Sequence, residues 1–105
     1  MEGYLVTFFT QQNREHAGMP LANWIVEEAK QLGVRGATLF TGSEGFGHDG
    51  RFHSGGYFDL EDQPLQVVLA LTSHECDQLF ARIRENNLRI FHTKCRAEFG
   101  YTCEN

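Results

Sequence analysis

The sequence predicts an α+β domain of the ferredoxin-like type. In this class the order β-α-β-β-α-β forms one antiparallel sheet with both helices on one face. Strand-length apolar runs and amphipathic helical segments follow one another along the chain in that order. The length of 105 residues is enough for one small domain with one core. We therefore expect a single domain over residues 1–105, with a long glycine-rich loop at 41–56.

Four segments predict the strands. Residues 4–9 and 65–71 are apolar at nearly every position, which is typical of strands buried on both faces. Residues 34–40 and 88–93 supply the second and fourth strands. The polar residues 10–18 are interpreted as a loop. The remainder from residue 94 is interpreted as a tail that packs through Phe99 and Tyr101 before it frays.

Two segments predict the helices. Pro20 suits the first turn of a helix, and Gly33 suits the position just past its end. The apolar stripe of this helix consists of Leu21, Trp24, Ile25, Ala29 and Leu32. Thr72 and Glu75 open the second helix with a capping-box pattern, and Asn86-Asn87 ends it. Its predicted buried stripe consists of Cys76, Leu79, Phe80 and Ile83.

The second face of the predicted sheet has a consequence for assembly. Both helices cover one face, yet the strands are apolar on both sides. An apolar exposed surface of this size usually marks an association site, and closed homo-oligomers are the usual solution. We therefore expect a homo-oligomer.

Composition excludes several classes of protein. The net charge of −5 argues against a nucleic-acid binder, which normally carries a basic excess. No apolar run reaches transmembrane length and no secretory leader opens the sequence, so a cytoplasmic protein is expected. The three cysteines form no C-x-x-C pair, and their odd number argues against a disulfide framework.

The glycine-rich loop is the predicted functional element. It contains six of the eleven glycines and two of the five histidines. Glycines allow positive φ and close backbone approach to a ligand, and successive N–H groups can form an anion-binding concavity. His48, Arg51 and His53 add side-chain donors. We expect a ligand-responsive loop that is the most mobile internal segment; a surface hairpin without a ligand is the alternative.

Two phosphate-binding motifs match this loop incompletely. The run from Gly45 to Gly50 fits G-x-G-x-x-G, but the sequence after it does not predict the helix that a dinucleotide site needs. Gly42 and Gly47 have the spacing of a P-loop, but His48-Asp49 stands in place of Lys-Ser/Thr. Neither motif is assigned.

Several short motifs resemble the nitrogen-regulatory PII signalling proteins. Gly45-Phe46-Gly47 is similar to the base of their T-loop, and Ile90-Phe91 to the start of their last core strand. A bacterial PII-like family of uncharacterised small proteins is more similar still. Its motifs correspond here to Thr7-Phe8-Phe9, Arg35-Gly36-Ala37-Thr38, Glu44-Gly45-Phe46-Gly47, and the Gly-Arg-x-His-Ser pattern from Gly50 to Ser54. The resemblance extends over roughly residues 4–100.

This resemblance implies a homotrimer with ligand sites between protomers, and an adenine nucleotide as the effector. In PII proteins the T-loop base, matched here by Gly45, Phe46 and Gly47, binds the nucleotide together with a loop before the last strand. Arg89 matches a basic phosphate-contacting position in that second loop. The loop is shorter here, at residues 85–89, and lacks the PII glycines. A membrane transporter or an enzyme is the implied regulated target.

The sequence is compatible with three candidate functions. The first is a signalling trimer without catalytic activity, whose small anionic effector sets the conformation of the loop. The second is a metal-binding protein that uses His48 and His53, with His16, His74, His92 and Cys95 as further candidate ligands. The third is a small enzyme with Asp49, His48 or His53 as an acid–base group. We adopt the first and expect no enzyme and no bound metal.

Overall fold

A computed structural model describes residues 1–42, 45–46, 52–53 and 63–103, with side chains for 1–42 and 63–103. A four-stranded antiparallel sheet has the strand order β4-β7-β1-β8. The predicted ferredoxin-like α+β class is thereby confirmed. In chain order the elements are β1 (Glu2–Gln11), β2 (Glu15–His16), β3 (Met19–Pro20), α1 (Leu21–Gln31), β4 (Ala37–Thr41), β5 (Gly45–Phe46), β6 (Phe52–His53), β7 (Pro64–Thr72), α2 (Ser73–Glu85) and β8 (Phe91–Glu98).

The two central strands separate their side chains between the two faces of the sheet. Val6 pairs with Leu69 and Phe8 with Val67, and all four side chains are buried beneath the helices. Directly opposed residues of an antiparallel pair point to the same face, and successive residues alternate between faces. The core therefore lies between the helices and one face of the sheet. It contains Trp24 and Cys76, as the sequence predicts.

Both helices end through local signals in the sequence. Gly33, with φ 79°, lies just past α1; its N–H donates to the carbonyl of Lys30, while that of Val34 donates to Ala29. Asn87, with φ 56°, lies at the corresponding position just past α2. Its N–H donates to the carbonyl of Arg84, and the N–H of Leu88 donates to the carbonyl of Ile83. These are the two hydrogen bonds of a Schellman motif.

The predicted capping box starts α2. Thr72 Oγ1 accepts a hydrogen bond from the N–H of Glu75 at 3.1 Å, and Glu75 Oε1 accepts one from the N–H of Thr72 at 2.9 Å. Two of the backbone donors that a helix N-terminus leaves unpaired are thus satisfied reciprocally. α2 therefore follows β7 without an intervening loop.

The face of the sheet opposite the helices is apolar and exposed, as the sequence suggests. Strand pairing aligns Phe40, Gln66, Phe9 and Phe91 in one row across the four strands. Phe40 is 52% and Phe91 71% exposed, and the rings of Phe9 and Phe91 lie 5.6 Å apart. Below this row, Leu5 pairs with Ala70 and with Cys95. We call this surface the outer sheet face.

Three segment boundaries predicted from the sequence are wrong. The second strand is not residues 34–40 but Ala37–Thr41. The fourth strand is not residues 88–93 but Phe91–Glu98, so residues 94–98 of the predicted tail pair with β1. Its polar residues give no apolar run, since β8 is an edge strand whose side chains are mostly exposed. Residues 10–18 are not one loop: β1 continues to Gln11, and β2 and β3 form a small hairpin. The tail does contact the fold, because Phe99 donates its N–H to the Met1 carbonyl, but Tyr101 remains 77% exposed.

Candidate functional site

The predicted loop and Arg89 belong to the same end of the sheet. At this end β1 and β4 finish while β7 and β8 begin, since Gln11 pairs with Pro64, Thr41 with Leu65, and Phe9 with Phe91. The glycine-rich loop leaves from Thr41, and Arg89 lies just before β8. Gly42 is fixed at the start of the loop, because its N–H donates to the Pro64 carbonyl at 2.9 Å.

These two parts of the candidate site nevertheless leave from opposite edges of the sheet. β4 and β8 are separated by β7 and β1. Three strand spacings of about 4.8 Å put the two edge strands ~14 Å apart. Within one protomer, β8, the strand that follows Arg89, therefore does not lie beside the strand that leads into the loop. An adjacent copy of the chain, with its β8 edge beside this β4 edge, would place them side by side.

The structure describes the predicted loop residues only in part. Gly45 pairs with His53 and Phe46 with Phe52 in the two-stranded β5–β6 unit. This pairing brings the backbone of His53 beside that of Gly45. Gly47, His48 and Arg51 lie outside the described residues, as does the predicted mobility of residues 44–55. The assignment of all these residues to a ligand site remains a prediction.

Arg89 lies in the short connection between α2 and β8, and its side chain is exposed. The left-handed Asn87 turns the chain out of α2 at this point. Arg89's main-chain carbonyl accepts a hydrogen bond from Arg14 Nη2 at 2.5 Å. The connection before β8 is thus held by a residue 75 positions earlier in the chain.

Sequence reasoning missed the hairpin that holds this connection. In the hairpin, Glu15 pairs with Pro20 and His16 with Met19, around a two-residue turn with positive φ at Ala17 (52°) and Gly18 (79°). Two central residues with positive φ are the mark of the type I′ hairpin turn. The usual signal is Asn-Gly or Asp-Gly, and Ala-Gly lacks it.

The histidines do not form a metal site in the described part of the chain. No group of three His, Cys, Asp or Glu side chains within residues 1–42 and 63–103 could hold a metal ion. His92 lies against the rings of Phe8 and Phe80, and pairs with Phe8 on the helix-side face. Cys95 pairs with Leu5 on the outer sheet face. Being three residues apart on one strand, His92 and Cys95 point to opposite faces and do not converge on one ion.

A groove of about 650 Å³ lies elsewhere, between α1 and the β4 edge. Its lining combines Trp24, Met19 and Leu39 with the carboxylates of Glu27 and Glu28. Glu28 is paired with Arg82, but the carboxylate of Glu27 disfavours an anionic effector, because like charges at short range repel. The groove is therefore distinct from the predicted anion site.

Comparison with known proteins decides the family. The sequence pattern of the DUF190 family, described as "Uncharacterized ACR", matches residues 3–96. The chain belongs to the DUF190 family. A curated DUF190-like relative, the UPF0166 protein of Aquifex aeolicus (strain VF5), is 30% identical over 71 residues, which span 68% of this chain and 67% of that protein.

Solved structures place this DUF190 protein among PII-like folds. A PII-like protein from Thermus thermophilus superposes with a TM-score of 0.65 at 20% identity, covering 91% of this chain and 87% of that one. CPII of Thiomonas intermedia, a nitrogen regulatory PII-like protein bound to ADP, AMP and bicarbonate, gives a TM-score of 0.65 at 16% identity, covering 96% and 91%. At these identities the likeness establishes the fold. The resemblance to a PII-like family of uncharacterised proteins is thereby confirmed. None of the helices in the described part of the chain is long and apolar enough to cross a membrane.

Proposed function

We propose that this DUF190 protein is a PII-like regulatory trimer without catalytic activity that binds an adenine nucleotide between protomers. The observation that carries the proposal is the arrangement at one end of the sheet. Arg89 and the start of the glycine-rich loop leave this end from opposite edges. A ring of copies can therefore bring the Arg89 edge of one protomer beside the loop of the next. The CPII structures, which contain ADP, support the nucleotide as effector.

The outer sheet face supports the assembly. Phe40, Phe91 and Leu5 are large apolar side chains that are 41–71% exposed in the isolated chain. Contiguous apolar patches of this kind mark association surfaces. Burial of the row formed by Phe40, Phe9 and Phe91 would remove aromatic surface from water, which stabilises an assembly by roughly 25 cal/mol per Å². A closed homotrimer would bury this row in every copy.

In the proposed mechanism the effector binds at Gly45, Phe46, Gly47 and Arg89, with His48, Arg51 and His53 as further donors on the loop. Binding shifts the loop between two conformations only to the extent that the effector binds one of them better. The favoured conformation then contacts a regulated protein, for which a membrane transporter or an enzyme is proposed. Discrimination between ADP and AMP would let the protein report nucleotide state.

Calorimetry with ATP, ADP, AMP and adenosine tests this function, with light scattering on the same samples. We expect a trimer that binds one of these nucleotides and leaves it chemically unchanged after prolonged incubation. Arg89→Ala should weaken binding by about one to two orders of magnitude, because a charge-assisted hydrogen bond is worth roughly 1.5–3 kcal/mol. Gly47→Val should weaken it as well, because a branched Cβ hinders close backbone approach. A monomer, or no binding of any nucleotide at millimolar concentration, would contradict the proposal.

A further inference from the structure

We propose that Arg14 and Arg89 together form a two-guanidinium site for the phosphate groups of the effector, and that the β2–β3 hairpin brings Arg14 to this site. The inference rests on the proposed function for the identity of the effector. It adds a second cation that the resemblance to PII proteins does not supply. It also assigns a role to the hairpin, for which the sequence suggests no function.

The main chain of Arg14 is fixed on both sides. Its N–H donates to the Gln11 carbonyl at 3.1 Å, and its carbonyl accepts from the N–H of Leu21, the first residue of α1, at 2.7 Å. Its side chain then reaches the carbonyl of Arg89 through Nη2. The guanidinium of Arg14 is therefore held beside the backbone of Arg89. A guanidinium has five N–H donors, so a single bond to a carbonyl leaves donors for a ligand.

A second contact clamps the same connection. His16 Nε2 lies 3.2 Å from Asn86 Oδ1. The orientation of this amide is set by its other end, because Asn86 Nδ2 donates to the Arg82 carbonyl at 2.8 Å. The oxygen therefore faces His16, and His16 is the donor. The imidazole also packs in a T-shaped arrangement with Trp24 of the core, with ring centroids 4.9 Å apart. The hairpin thus connects the loop before β8 to the core of the protein.

Neither guanidinium is neutralised within the described residues. The carboxylates nearest in sequence, Glu15 and Glu85, form no ion pair with Arg14 or Arg89 in that part of the chain. Arg82, one turn before the end of α2, shows the contrast, since it is paired with Glu28 at 2.6 Å. Arg14 is bonded to the Arg89 carbonyl, and Arg89 carries its own exposed side chain, so two cationic side chains belong to one loop. Two positive charges there favour an anionic ligand, although the whole chain has a net charge of −5.

The geometry points to a diphosphate as the ligand class. Guanidinium groups bind phosphate through paired, charge-assisted hydrogen bonds. Two guanidiniums at one loop can contact two phosphate groups, while a monophosphate engages them less completely. Arg89 is the one basic residue between α2 and β8, and the Arg14 contact adds a second guanidinium to this connection from the hairpin.

The test measures binding of ADP, AMP and inorganic pyrophosphate by calorimetry at low salt. We compare the parent protein with Arg14→Gln, Arg14→Lys and His16→Ala. Arg84→Gln is the matched control, because Arg84 is an exposed arginine of α2 whose side chain forms no hydrogen bond or ion pair with the hairpin in the described residues. Arg14→Gln keeps a polar side chain but removes the charge and, because the side chain is shorter, the bond to the Arg89 carbonyl. Thermal melts establish which variants are folded.

We expect Arg14→Gln to weaken ADP and pyrophosphate binding by about 10- to 100-fold, the equivalent of one charge-assisted hydrogen bond. The affinity for AMP should fall by a smaller factor, so the preference of the protein for ADP over AMP falls. Arg14→Lys should be intermediate, since it keeps the charge without the paired donors, and it carries the test if Arg14→Gln does not fold. His16→Ala should weaken the binding of all three ligands to a similar, smaller extent, because it removes the contact with Asn86 and leaves both arginines in place. The affinity of Arg84→Gln for each ligand should match that of the parent protein within about two-fold.

The outcomes separate this inference from the proposed function. If ADP binds and Arg14→Gln behaves like Arg84→Gln, the two-guanidinium site is wrong and the nucleotide function stands. If pyrophosphate binds in an Arg14-dependent way but no nucleotide binds, the site stands and the nucleotide function fails. If the parent binds neither pyrophosphate nor a nucleotide at millimolar concentration, both are overturned.

Discussion

Arg82 of α2 donates a hydrogen bond from Nη1 to Oε2 of Glu28 on α1 across 2.6 Å, and a second from the same nitrogen to Gln31 Oε1 at 3.2 Å. These bonds connect the two helices. The side chain of Glu28 is 19% exposed and that of Arg82 35%. Because water screens the pair only in part, we expect it to contribute more than a fully exposed ion pair does.

The first prediction concerns this pair. Arg82→Ala should lower the free energy of unfolding by about 1 kcal/mol, since it removes a charge-assisted bond and leaves Glu28 partly buried without a partner. Urea denaturation at a fixed protein concentration measures the change. Arg84→Ala, an exposed position on the same helix, should change it by less than about 0.5 kcal/mol. A double-mutant cycle with Glu28→Ala that returned no coupling energy would show that the contact is not stabilising.

The second prediction concerns Gly3 in β1. A Cβ at this position would lie 2.0 Å from the carbonyl oxygen of Leu71 on the adjacent strand, so Gly3→Ala requires one of two central strands to shift. Overpacking of this kind costs roughly 1–3 kcal/mol. Chemical denaturation should reveal the loss. Gly100→Ala is the control, because a Cβ there meets nothing within 4 Å. Equal stability of the two variants would contradict the close approach of these strands.

The third prediction tests whether the outer sheet face holds the assembly together. Phe91→Glu places a charge in the aromatic row and should convert the expected trimer into monomers, because a buried unpaired charge is unfavourable. The isolated fold should tolerate it, since Phe91 is already 71% exposed. Tyr101→Glu, at a position that is 77% exposed in the segment after β8, should remain trimeric. Light scattering after gel filtration distinguishes the masses. A Phe91→Glu protein that kept the parent mass would exclude this face as the interface.

The fourth prediction concerns thiol reactivity. Burial raises the pKa of the Cys76 thiol above its ordinary value of 9.0, an effect only partly offset by the nearby positive charge of Lys94. The thiolate is the reactive form, so the raised pKa and the 1% exposure of Cys76 both slow its modification. With a thiol reagent at pH 8, Cys103 should react quickly and Cys76 only upon denaturation. Peptide mapping after a timed reaction assigns the sites. Rapid labelling of Cys76 in the folded protein would contradict its place in the core.

The fifth prediction uses the modification rate of the Cys95 thiol as an independent measure of assembly. It is exposed in the isolated chain and pairs with Leu5 on the outer sheet face. If trimers bury this face, Cys95 should be modified slowly in the parent and quickly in Phe91→Glu. Cys103 should react at the same rate in both proteins. Rapid modification of Cys95 in a protein of trimer mass would place the interface on a different surface.

The sequence by itself determined the elements whose signals are local. The Thr72–Glu75 capping box and Gly33 after α1 act within one helical turn, so the residues present predict the hydrogen bonds that form. The apolar runs of β1 and β7 predicted the two central strands, because both of their faces carry apolar side chains. The order of these elements then allowed a single fold class, and the glycine-rich loop and Arg89 were identified from short motifs.

Only the tertiary structure decided how the edges and the site are built. β8 extends to Glu98 because β1 offers it backbone partners; its exposed, polar side chains contain no signal for a strand. The contact of Arg14 with Arg89 joins residues 75 positions apart, and no local pattern encodes such a pairing. Strand order likewise puts the strand after Arg89 and the strand that leads into the glycine-rich loop on opposite edges of the sheet. Periodicity reports which side of an element is buried, whereas the partner of an exposed polar side chain is fixed only when the chain has folded.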